Sequence, residues 1–315
     1  MSTRFILGLD GGGTKTDAVL CDEQGHVVAR AIGAASSITG QGTERAQAAL
    51  HAVIEAVTAH IPDKSQVAGC YAGISGGGLA ANQEKFREMI SQILPDCKGL
   101  ACGSDAINVL TAGVGTKNGI IAIAGTGSCI YARIDGVMKQ VGGWGYLLGD
   151  EGSGFDLGRR ALISALKALD GRGKETVLVA LLESKLGMTL REYIPVFYRS
   201  DAKTEVASLA PLLLQAAADG DPVAQEQARE ATMELAHGIL TADRLIGERC
   251  VVIGGSVWKN DYYRSLVKKN LGCDFKLINI DLPPVYGAVL EAAAQAGITA
   301  TEAFKDNFRT TLKEK

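Results

Sequence analysis

The sequence has no apolar stretch long enough to span a membrane, and its first apolar run is interrupted by Asp10. A membrane helix needs about 20 consecutive apolar residues, and a secretory signal needs an unbroken apolar core. The net charge is only −3, without the basic excess that is typical of nucleic-acid-binding proteins. These absences argue against membrane and nucleic-acid partners. They favour a cytosolic protein that acts on a small molecule.

The seven cysteines include no pair with Cys-x-x-Cys spacing, which is the spacing typical of metal sites and redox motifs. Several of them lie in apolar segments, so we predict buried, reduced thiols rather than a metal or disulfide framework. The remaining composition, 47% hydrophobic and 21% charged over 315 residues, is ordinary for a globular protein. A chain of this length has room for two domains.

The opening segment lacks both common phosphate-binding motifs. The apolar run Phe5–Leu9 is followed by Asp10, three glycines and a Thr-Lys-Thr triplet. A P-loop requires glycine immediately before the lysine, where this chain has Thr14. The dinucleotide fingerprint requires a third glycine that opens a helix, where Thr16 begins a second strand-like run. We therefore predict a strand, a glycine turn and a strand.

Three glycines exceed the needs of a hairpin turn, because two positions with positive φ are enough. The excess indicates that a ligand approaches the backbone closely, and bare N–H groups in a turn favour an anion. A flexible turn without a ligand is the alternative interpretation.

The same order of elements recurs in the second half of the chain. A strand at 120–124 leads to a glycine-rich tip at 125–128, and two more strands follow up to Val141. We interpret this as an internal duplication in which two facing tips would hold a polyphosphate from both sides. The rest of each half alternates helices with strands, which indicates mixed sheets covered by helices. We expect one domain over 1–118 and another over 119–315, the second with a helical insertion and a C-terminal helix that packs back on the first.

Four segments follow one another along nearly the whole chain: Leu9–Thr14, Ala124–Ser128, Gly142–Ser153 and Gly254–Lys259. In this order they resemble the actin-like ATPase superfamily, which includes sugar kinases, actin and heat-shock chaperones. They are similar in particular to the N-acetylglucosamine kinase branch of the BadF/BadG/BcrA/BcrD ATPase family. The third segment is the most specific, because its Gly-Gly-Trp-Gly and Gly-Asp-Glu-Gly-Ser motifs indicate amino-sugar kinases.

The resemblance implies an α/β protein of two duplicated ribonuclease H-like domains, each a mixed sheet with helices, with a cleft between the domains. It implies transfer of the γ-phosphoryl group of ATP to a hydroxyl of an amino sugar, with ATP and Mg²⁺ as cofactors. N-acetylglucosamine, phosphorylated at its 6-hydroxyl, is the first expectation, and glucosamine and N-acetylmuramic acid are the alternatives. A homodimer is also expected.

The family's roles can be transferred to matching residues. Asp10 would hold Mg²⁺ through water, since this hard cation prefers oxygen ligands and keeps much of its water. Asp105 would be the catalytic base that accepts the proton of the attacking sugar hydroxyl. The remaining nucleotide contacts would come from three glycine-rich groups: Gly12, Gly13, Thr14 and Lys15 on the phosphates; Gly125, Thr126, Gly127 and Ser128 on the phosphates from the second domain; and Gly254, Gly255 and Ser256 on adenosine.

The sugar would be bound by Asp105, by the loop residues Ser36 and Ser37, and by the specific third segment. In the family an asparagine usually stands near position 37, so the serine there leaves the identity of the sugar open. Simpler roles also exist for several residues. Asp105 or Ser256 could cap a helix, Trp144 could belong to the core, and Lys15 or Glu151 could be ordinary surface charges. The residues of the third segment assigned to the sugar are Gly143, Trp144, Gly145, Asp150 and Glu151.

The superfamily also includes proteins with two other functions. An ATPase activator of a dehydratase partner would hold an iron–sulfur cluster and would need cysteines for it, but Cys129 alone follows the second tip. A sugar-sensing regulator would need a DNA-binding helix-turn-helix, whereas the chain begins directly at the first strand. Both are therefore less favoured than a kinase.

Overall fold

Ten strands in two five-stranded sheets form the centre of the fold in the computed structural model, which describes residues 3–199 and 202–315. The strands within these residues are β1 (Phe5–Gly11), β2 (Thr16–Asp22), β3 (Val27–Gly33), β4 (Val67–Ile74), β5 (Gly99–Gly103), β6 (Gly119–Ala124), β7 (Ser128–Ile134), β8 (Val137–Gln140), β9 (Cys250–Gly254) and β10 (Lys276–Asn279).

The two sheets share one topology. The first has the order β3-β2-β1-β4-β5 and the second has the order β8-β7-β6-β9-β10. In each sheet the first three strands in sequence form an antiparallel meander, and the last two continue from its first strand in parallel. This repetition agrees with the predicted duplication, and the mixed α/β architecture is confirmed.

Helices connect and cover the strands. Among the described residues, short 3₁₀ helices lie at Lys64–Gln66, Ile194–Tyr198 and Val257–Lys259. The α-helices there are α1 (Ile38–Gln41), α2 (Thr43–Thr58), α3 (Ala80–Ser91), α4 (Asp105–Val114), α5 (Gly154–Leu169), α6 (Leu178–Leu186), α7 (Leu190–Tyr193), α8 (Ala202–Ala207), α9 (Ala210–Ala218), α10 (Pro222–Ile246), α11 (Asp261–Leu271), α12 (Pro284–Gln295) and α13 (Glu302–Leu312).

The chain divides into two compact units. Unit 1 comprises the residues up to Lys117 together with Ile280–Lys315, and unit 2 comprises Asn118–Asn279. The sequence predicted a second domain over 119–315 whose C-terminal helix packs back on the first domain. In the structure α12 packs on β1 and β4, and the backbone N–H of Val27 in β3 donates a hydrogen bond to Thr311 in α13. The whole C-terminal segment from Ile280 therefore belongs to unit 1.

Unit 1 is a sheet covered on both faces. Side chains alternate between the faces of a strand, and β1 follows this rule. Leu7 and Leu9 belong to the apolar core on the side of α2 and α3, whereas Ile6 lies in the core formed with α12 and α13. The sheet therefore has a helical layer on each side.

Helix α12 approaches the sheet so closely that glycine is required beneath it. A Cβ atom at Gly8 would lie 2.6 Å from the backbone nitrogen of Val289, and one at Gly69 would lie 2.2 Å from the carbonyl oxygen of Ala292. Real Cβ atoms do not approach backbone atoms so closely, so either side chain would force the helix away from the sheet.

We predict that Gly69→Ala lowers the free energy of unfolding of unit 1 by about 2 kcal/mol or more, because the new methyl group overpacks the contact with α12. Gly78→Ala is the matched control, since nothing lies within 4 Å of its added Cβ and its φ is not positive. Urea unfolding measures both variants. Equal unfolding midpoints for the two variants would contradict this account of the packing.

Unit 2 contains a larger helical layer around its own core. Its longest helix, α10, begins with a clear local start signal: Asp221 is the N-cap and accepts from the N–H of Ala224, and Pro222 takes the first position. This helix packs on β6, β7 and α11. Over the part of the chain that the structure describes, no helix combines the length and the apolar character that a membrane crossing demands.

Candidate functional site

The register of the first sheet places several predicted site residues at one edge. Asp10 lies opposite Gly73 of β4, and Gly73 lies opposite Gly103 of β5. On its other side Asp10 lies opposite Asp17 of β2. Because β1, β4 and β5 are parallel, their carboxyl ends meet at the same edge of unit 1. Asp105 follows Gly103 at that edge.

The glycine tip between β1 and β2 is a tight turn closed by a hydrogen bond from Gly12 N–H to the Lys15 carbonyl (2.9 Å). The turn does not use positive φ at its glycines, so backbone conformation does not explain any of the three. Gly11 is needed for packing, because a Cβ there would lie 2.2 Å from Ser36 Oγ. Gly12 and Gly13 have no such constraint, since a Cβ at Gly13 would meet nothing within 4 Å. Their bare backbone is left open to a ligand.

The Asp10 carboxylate is held by a side chain far away in the sequence. The amide nitrogen of Asn108 in α4 donates to Asp10 Oδ1 at 2.7 Å. Burial is the main cause that raises the pKa of Asp10 to about 6, and the negative charges of Asp105 and Asp17 raise it further. The Asn108 hydrogen bond and the charge of Lys15 lower the pKa of Asp10 in part. Asp10 is therefore a charge that a cation would stabilise.

Asp105 is the first residue of α4, and its neighbour Ser104 takes the N-cap position, with its hydroxyl accepting from Ala106 N–H. The helix-cap role therefore belongs mainly to Ser104. Asp105 Oδ1 accepts from the Ser104 hydroxyl and from Ala106 N–H, both at 3.0 Å. Burial raises the pKa of Asp105. One oxygen is thus fixed by two donors, and Oδ2 is left as a proton acceptor.

The serines of the predicted sugar loop are buried in unit 1. Ser36 is completely buried, and its hydroxyl accepts from Thr16 Oγ1 at 2.9 Å. Ser37 is 3% exposed and forms a hydrogen bond with Thr39 at 3.0 Å. These contacts hold the loop against the base of the first tip, and they engage the hydroxyls that the sequence analysis assigned to the sugar.

The second glycine tip, in unit 2, is anchored to the start of α5. The carbonyl oxygens of Gly125 and Thr126 accept from the N–H groups of Gly154 (2.7 Å) and Phe155 (3.1 Å). Gly255 has φ +98°, and a Cβ there would lie 2.3 Å from the Ala124 carbonyl. The glycine segment Gly254–Ser256 at the end of β9 therefore packs directly against this tip.

A cavity of about 340 Å³ lies beside this tip within unit 2. It brings together three residues that the sequence assigned to the nucleotide: Gly125, Thr126 and Ser256. Ser256 stands at the N-cap of a 3₁₀ helix but makes no side-chain capping bond. The other lining residues were not predicted as nucleotide contacts; most of them belong to no motif, although Val257 lies within the segment Gly254–Lys259. Those residues are Gly154, Thr204, Ala207, Ser208, Ala210, Pro211, Leu214, Val257 and Asn260.

The most specific segment of unit 2 combines an exposed aromatic ring with a buried acid. Trp144 is 64% exposed, which excludes the core-packing alternative. Asp150 is 4% exposed, adopts φ +57° and pairs with Lys203 at 3.2 Å. Gly143 also has positive φ, and a Cβ there would lie 2.6 Å from the Cβ of Cys129, so its backbone shape depends on glycine.

Glu151 and Ser128 face a different cavity of unit 2, of about 180 Å³, which Gly143 also lines. The Ser128 hydroxyl donates to the Glu151 carbonyl oxygen at 2.8 Å. The side chain of Ser128 therefore supports the backbone between the two family segments, and it does not line the cavity of Gly125 and Ser256.

The residues at Asp10 fit a magnesium ion that keeps much of its water. Within the described ranges, no three His, Cys, Asp or Glu side chains gather into a metal cage. A single carboxylate of raised pKa, beside a glycine tip open to phosphate oxygens, matches the preference of Mg²⁺ for one or two carboxylates plus phosphates and water.

Four of the seven cysteines, including Cys70 and Cys102, are buried free thiols, as predicted. Cys129 and Cys250 are partly buried and Cys273 is exposed, so the prediction does not hold for all of them.

These two sheets of identical topology, each with a glycine tip after its first strand, define the α/β fold of the actin-like sugar kinases. A family model for the BadF/BadG/BcrA/BcrD ATPase family matches residues 7–292. The chain therefore belongs to the BadF/BadG/BcrA/BcrD ATPase family.

Its relatives include sugar kinases. The chain is 30% identical to the N-acetyl-D-glucosamine kinase of Dictyostelium discoideum over 93% of this chain and 98% of the relative. It is 29% identical to the N-acetylmuramic acid/N-acetylglucosamine kinase of Clostridium acetobutylicum, over 93% and 99%. A crystal structure of a candidate N-acetylglucosamine kinase from Chromobacterium violaceum superposes with a TM-score of 0.66 at 28% identity, covering 92% of this chain and 99% of that one.

We predict that Asp10→Asn stabilises the metal-free protein at pH 7.5 by about 2 kcal/mol. The folded-state pKa of about 6 lies above the ordinary 3.8, so the folded state loses stability as the pH rises through this window. The gain from the substitution should shrink as the pH falls from 6 towards 4. Chemical denaturation at pH 7.5 and 4.5, in EDTA, measures the difference.

Asp17→Asn is the matched control, because Asp17 lies directly opposite Asp10 but pairs with Arg30 through two hydrogen bonds of 2.7 and 3.0 Å. Removing this charge leaves the guanidinium without its partner, so the control should be destabilised at pH 7.5. A loss of stability in Asp10→Asn at pH 7.5 would contradict the assignment of Asp10 as a charge that burial destabilises in the metal-free protein.

Proposed function

We propose that this chain is an ATP-dependent amino-sugar kinase that transfers the γ-phosphoryl group of ATP to a hydroxyl of N-acetylglucosamine, giving the 6-phosphate. The observation that carries the proposal is the pair of partly buried carboxylates, Asp10 and Asp105, beside a glycine tip whose exposed glycines have no packing role in the fold. The names of the relatives support the same substrate class.

In unit 2, the nucleotide contacts are assigned to the cavity beside the second tip. Gly125, Thr126 and Ser256 line it, and its volume and small side chains suit a flat base and ribose. Ala207 and Pro211, which the sequence did not indicate, extend the proposed adenosine contacts. Gly127, Gly254 and Gly255 are assigned to the same nucleotide through their neighbouring backbone, and Ser128 is assigned only a supporting role.

In unit 1, the phosphate contacts are assigned to the open backbone of Gly12 and Gly13 and to the exposed residues Thr14 and Lys15. Asp10 would hold magnesium through water, and bound magnesium would supply neutralisation of phosphate charge. Phosphoryl transfer depends mainly on positioning and on such charge stabilisation. A residue that fixes Asp10 therefore matters as much as one that contacts the phosphates.

Asp105 is assigned as the base. Its Oδ1 is fixed by Ser104 and Ala106 N–H, so Oδ2 would accept the proton of the sugar hydroxyl as that oxygen attacks phosphorus. A carboxyl of raised pKa is a better base than an exposed aspartate once it is ionised. The proton would leave the sugar oxygen for Oδ2 while the phosphorus–oxygen bond to ADP breaks.

The sugar is assigned to the segment of unit 2 that contains Gly143, Trp144, Gly145 and Asp150, with Glu151 at its edge. Trp144 offers an exposed ring face, and the Asp150 carboxylate is oriented by Lys203. Ser36 and Ser37 are assigned only to shape their own loop of unit 1, because their hydroxyls already have partners in the protein. Glucosamine and N-acetylmuramic acid are the alternative acceptors. The cytosol and a homodimer complete the proposal.

The direct test is a coupled assay of ADP release with Mg-ATP and a panel of N-acetylglucosamine, glucosamine, N-acetylmuramic acid and glucose. We expect release that depends on an amino sugar, with N-acetylglucosamine as the best acceptor and phosphorus on O6 by NMR. Release of ADP that no sugar stimulates would refute the kinase proposal.

We predict that Asp105→Asn lowers kcat by about 10³-fold, within the range typical of general-base catalysis, while ATP affinity stays within about twofold of the wild type. Steady-state kinetics and calorimetry measure the two quantities.

Asp221→Asn is the control, because Asp221 is also an aspartate at a helix start, in α10, and asparagine caps a helix equally well. This control should keep full activity. Loss of ATP binding in Asp105→Asn together with loss of transfer would contradict the role of Asp105 as base.

A further inference from the structure

The side chain of Asn108 is completely buried and carries an unusual set of contacts. Its amide nitrogen lies within hydrogen-bond distance of three oxygens: Asp10 Oδ1 at 2.7 Å, the Gly73 carbonyl at 3.0 Å and the Leu9 carbonyl at 3.3 Å. Its amide oxygen, in contrast, finds no donor among the residues that the structure describes. The side chain therefore acts only as a donor.

The orientation of this amide is determined by its surroundings. Exchanging Nδ2 and Oδ1 would place an acceptor against three acceptors, one of them a carboxylate, so the observed orientation is the one that gains hydrogen bonds. An unsatisfied buried acceptor is destabilising. Asn108 thus leaves its own oxygen unpaired while it donates to Asp10.

The fold makes space for this amide at the neighbouring strand. A Cβ atom at Gly73 would lie 2.0 Å from Asn108 Oδ1 and 2.4 Å from Nδ2. Gly73 is the residue opposite Asp10 in the register of β1 and β4. The bare backbone at this position is therefore what admits the Asn108 side chain to the end of β1.

Asn108 also lies three residues after Asp105 on the same helix, and residues at this spacing share a helix face. One turn of α4 thus presents the proposed base and the group that holds Asp10. Because carboxylates that bind a metal need partners that fix their orientation, the amide is placed to perform this task.

We propose that Asn108 is a positioning residue that orients the Asp10 carboxylate for magnesium bound with the nucleotide. This inference rests on the proposed function and assigns to α4 a second task beyond carrying the base. Because Asn108 holds Asp10 Oδ1, Oδ2 of the same carboxylate is the oxygen that would face a hydrated ion.

The test measures binding of the non-hydrolysable analogue AMP-PNP by calorimetry, in EDTA and in saturating Mg²⁺. The wild type should bind more tightly with Mg²⁺. Asn108→Ala should bind AMP-PNP in EDTA as tightly as the wild type does. In Mg²⁺ its affinity should be about tenfold lower than that of the wild type, which is the lower end of the loss seen when a partner of a metal ligand is removed. Asn108→Leu, of similar shape but without a hydrogen-bond donor, should do the same and serves if the alanine variant folds poorly.

A double-mutant cycle separates positioning from a merely structural role. If Asn108 acts through Asp10, adding Asn108→Ala to Asp10→Asn should cause no further loss of the Mg²⁺ effect. Thr58→Ala is the matched control, because Thr58 is a buried hydrogen-bonding residue of unit 1 on α2. It should lower the unfolding midpoint and leave the Mg²⁺ effect unchanged.

Three results would overturn the inference in distinguishable ways. An Asn108→Ala variant with the full Mg²⁺ effect, or with a loss that adds to that of Asp10→Asn, refutes the positioning role alone. An unchanged Mg²⁺ effect in Asp10→Asn refutes the metal assignment and the inference with it. A wild type that binds no AMP-PNP refutes the proposed function itself.

Discussion

The parallel pairing of β4 with both β1 and β5 is the constraint on which the unit 1 site depends. It sets Asp10, Gly73 and Gly103 in one row across the sheet, so that an acid at the end of one strand and the acid that follows another meet at the same edge. A shift of one residue would turn Asp10 to the opposite face of the sheet. The row also explains the glycine at 73, because a side chain there would displace the amide that holds Asp10.

The glycines of this chain serve two different purposes, and the structure separates them. Gly8 and Gly69 lie beneath a helix backbone, and Gly255 lies against the second tip, so each is required by the protein itself. Gly12, Gly13 and Gly125 meet no atom closely. A glycine that the fold does not need, in a turn at a strand end, is best explained by an approaching ligand. Counting glycines in a motif cannot make this distinction, but the space around each one can.

Local sequence signals were sufficient for most of the elements. The first two strands and the strand at 120–124 were predicted close to their observed positions, because apolar patterns and turn signals act over a few residues. Contacts between distant residues were not predictable. Nothing local shows that α12 covers β1, that Thr16 binds Ser36, or that Asn108 reaches across 98 residues of sequence to Asp10. The rest of the unit 2 cavity lining, beyond Gly125, Thr126 and Ser256, was not predicted, because segments distant in the sequence form it.

Three acids lie at this edge of the unit 1 sheet: Asp10, Asp17 and Asp105. Their burial and their pairing distinguish an acid that stabilises the fold from acids that are available for function. Asp17 is neutralised by a two-bond pairing with Arg30, which makes it part of the fold. Among the residues that the structure describes, no such cation is in bonding contact with Asp10 or Asp105. Each has Oδ1 fixed by uncharged donors, and the pKa of each is raised by burial. A protein stabilised only for folding would gain by neutralising both acids, so their retention beside an open glycine turn indicates that their charge is used when a cation and phosphates bind.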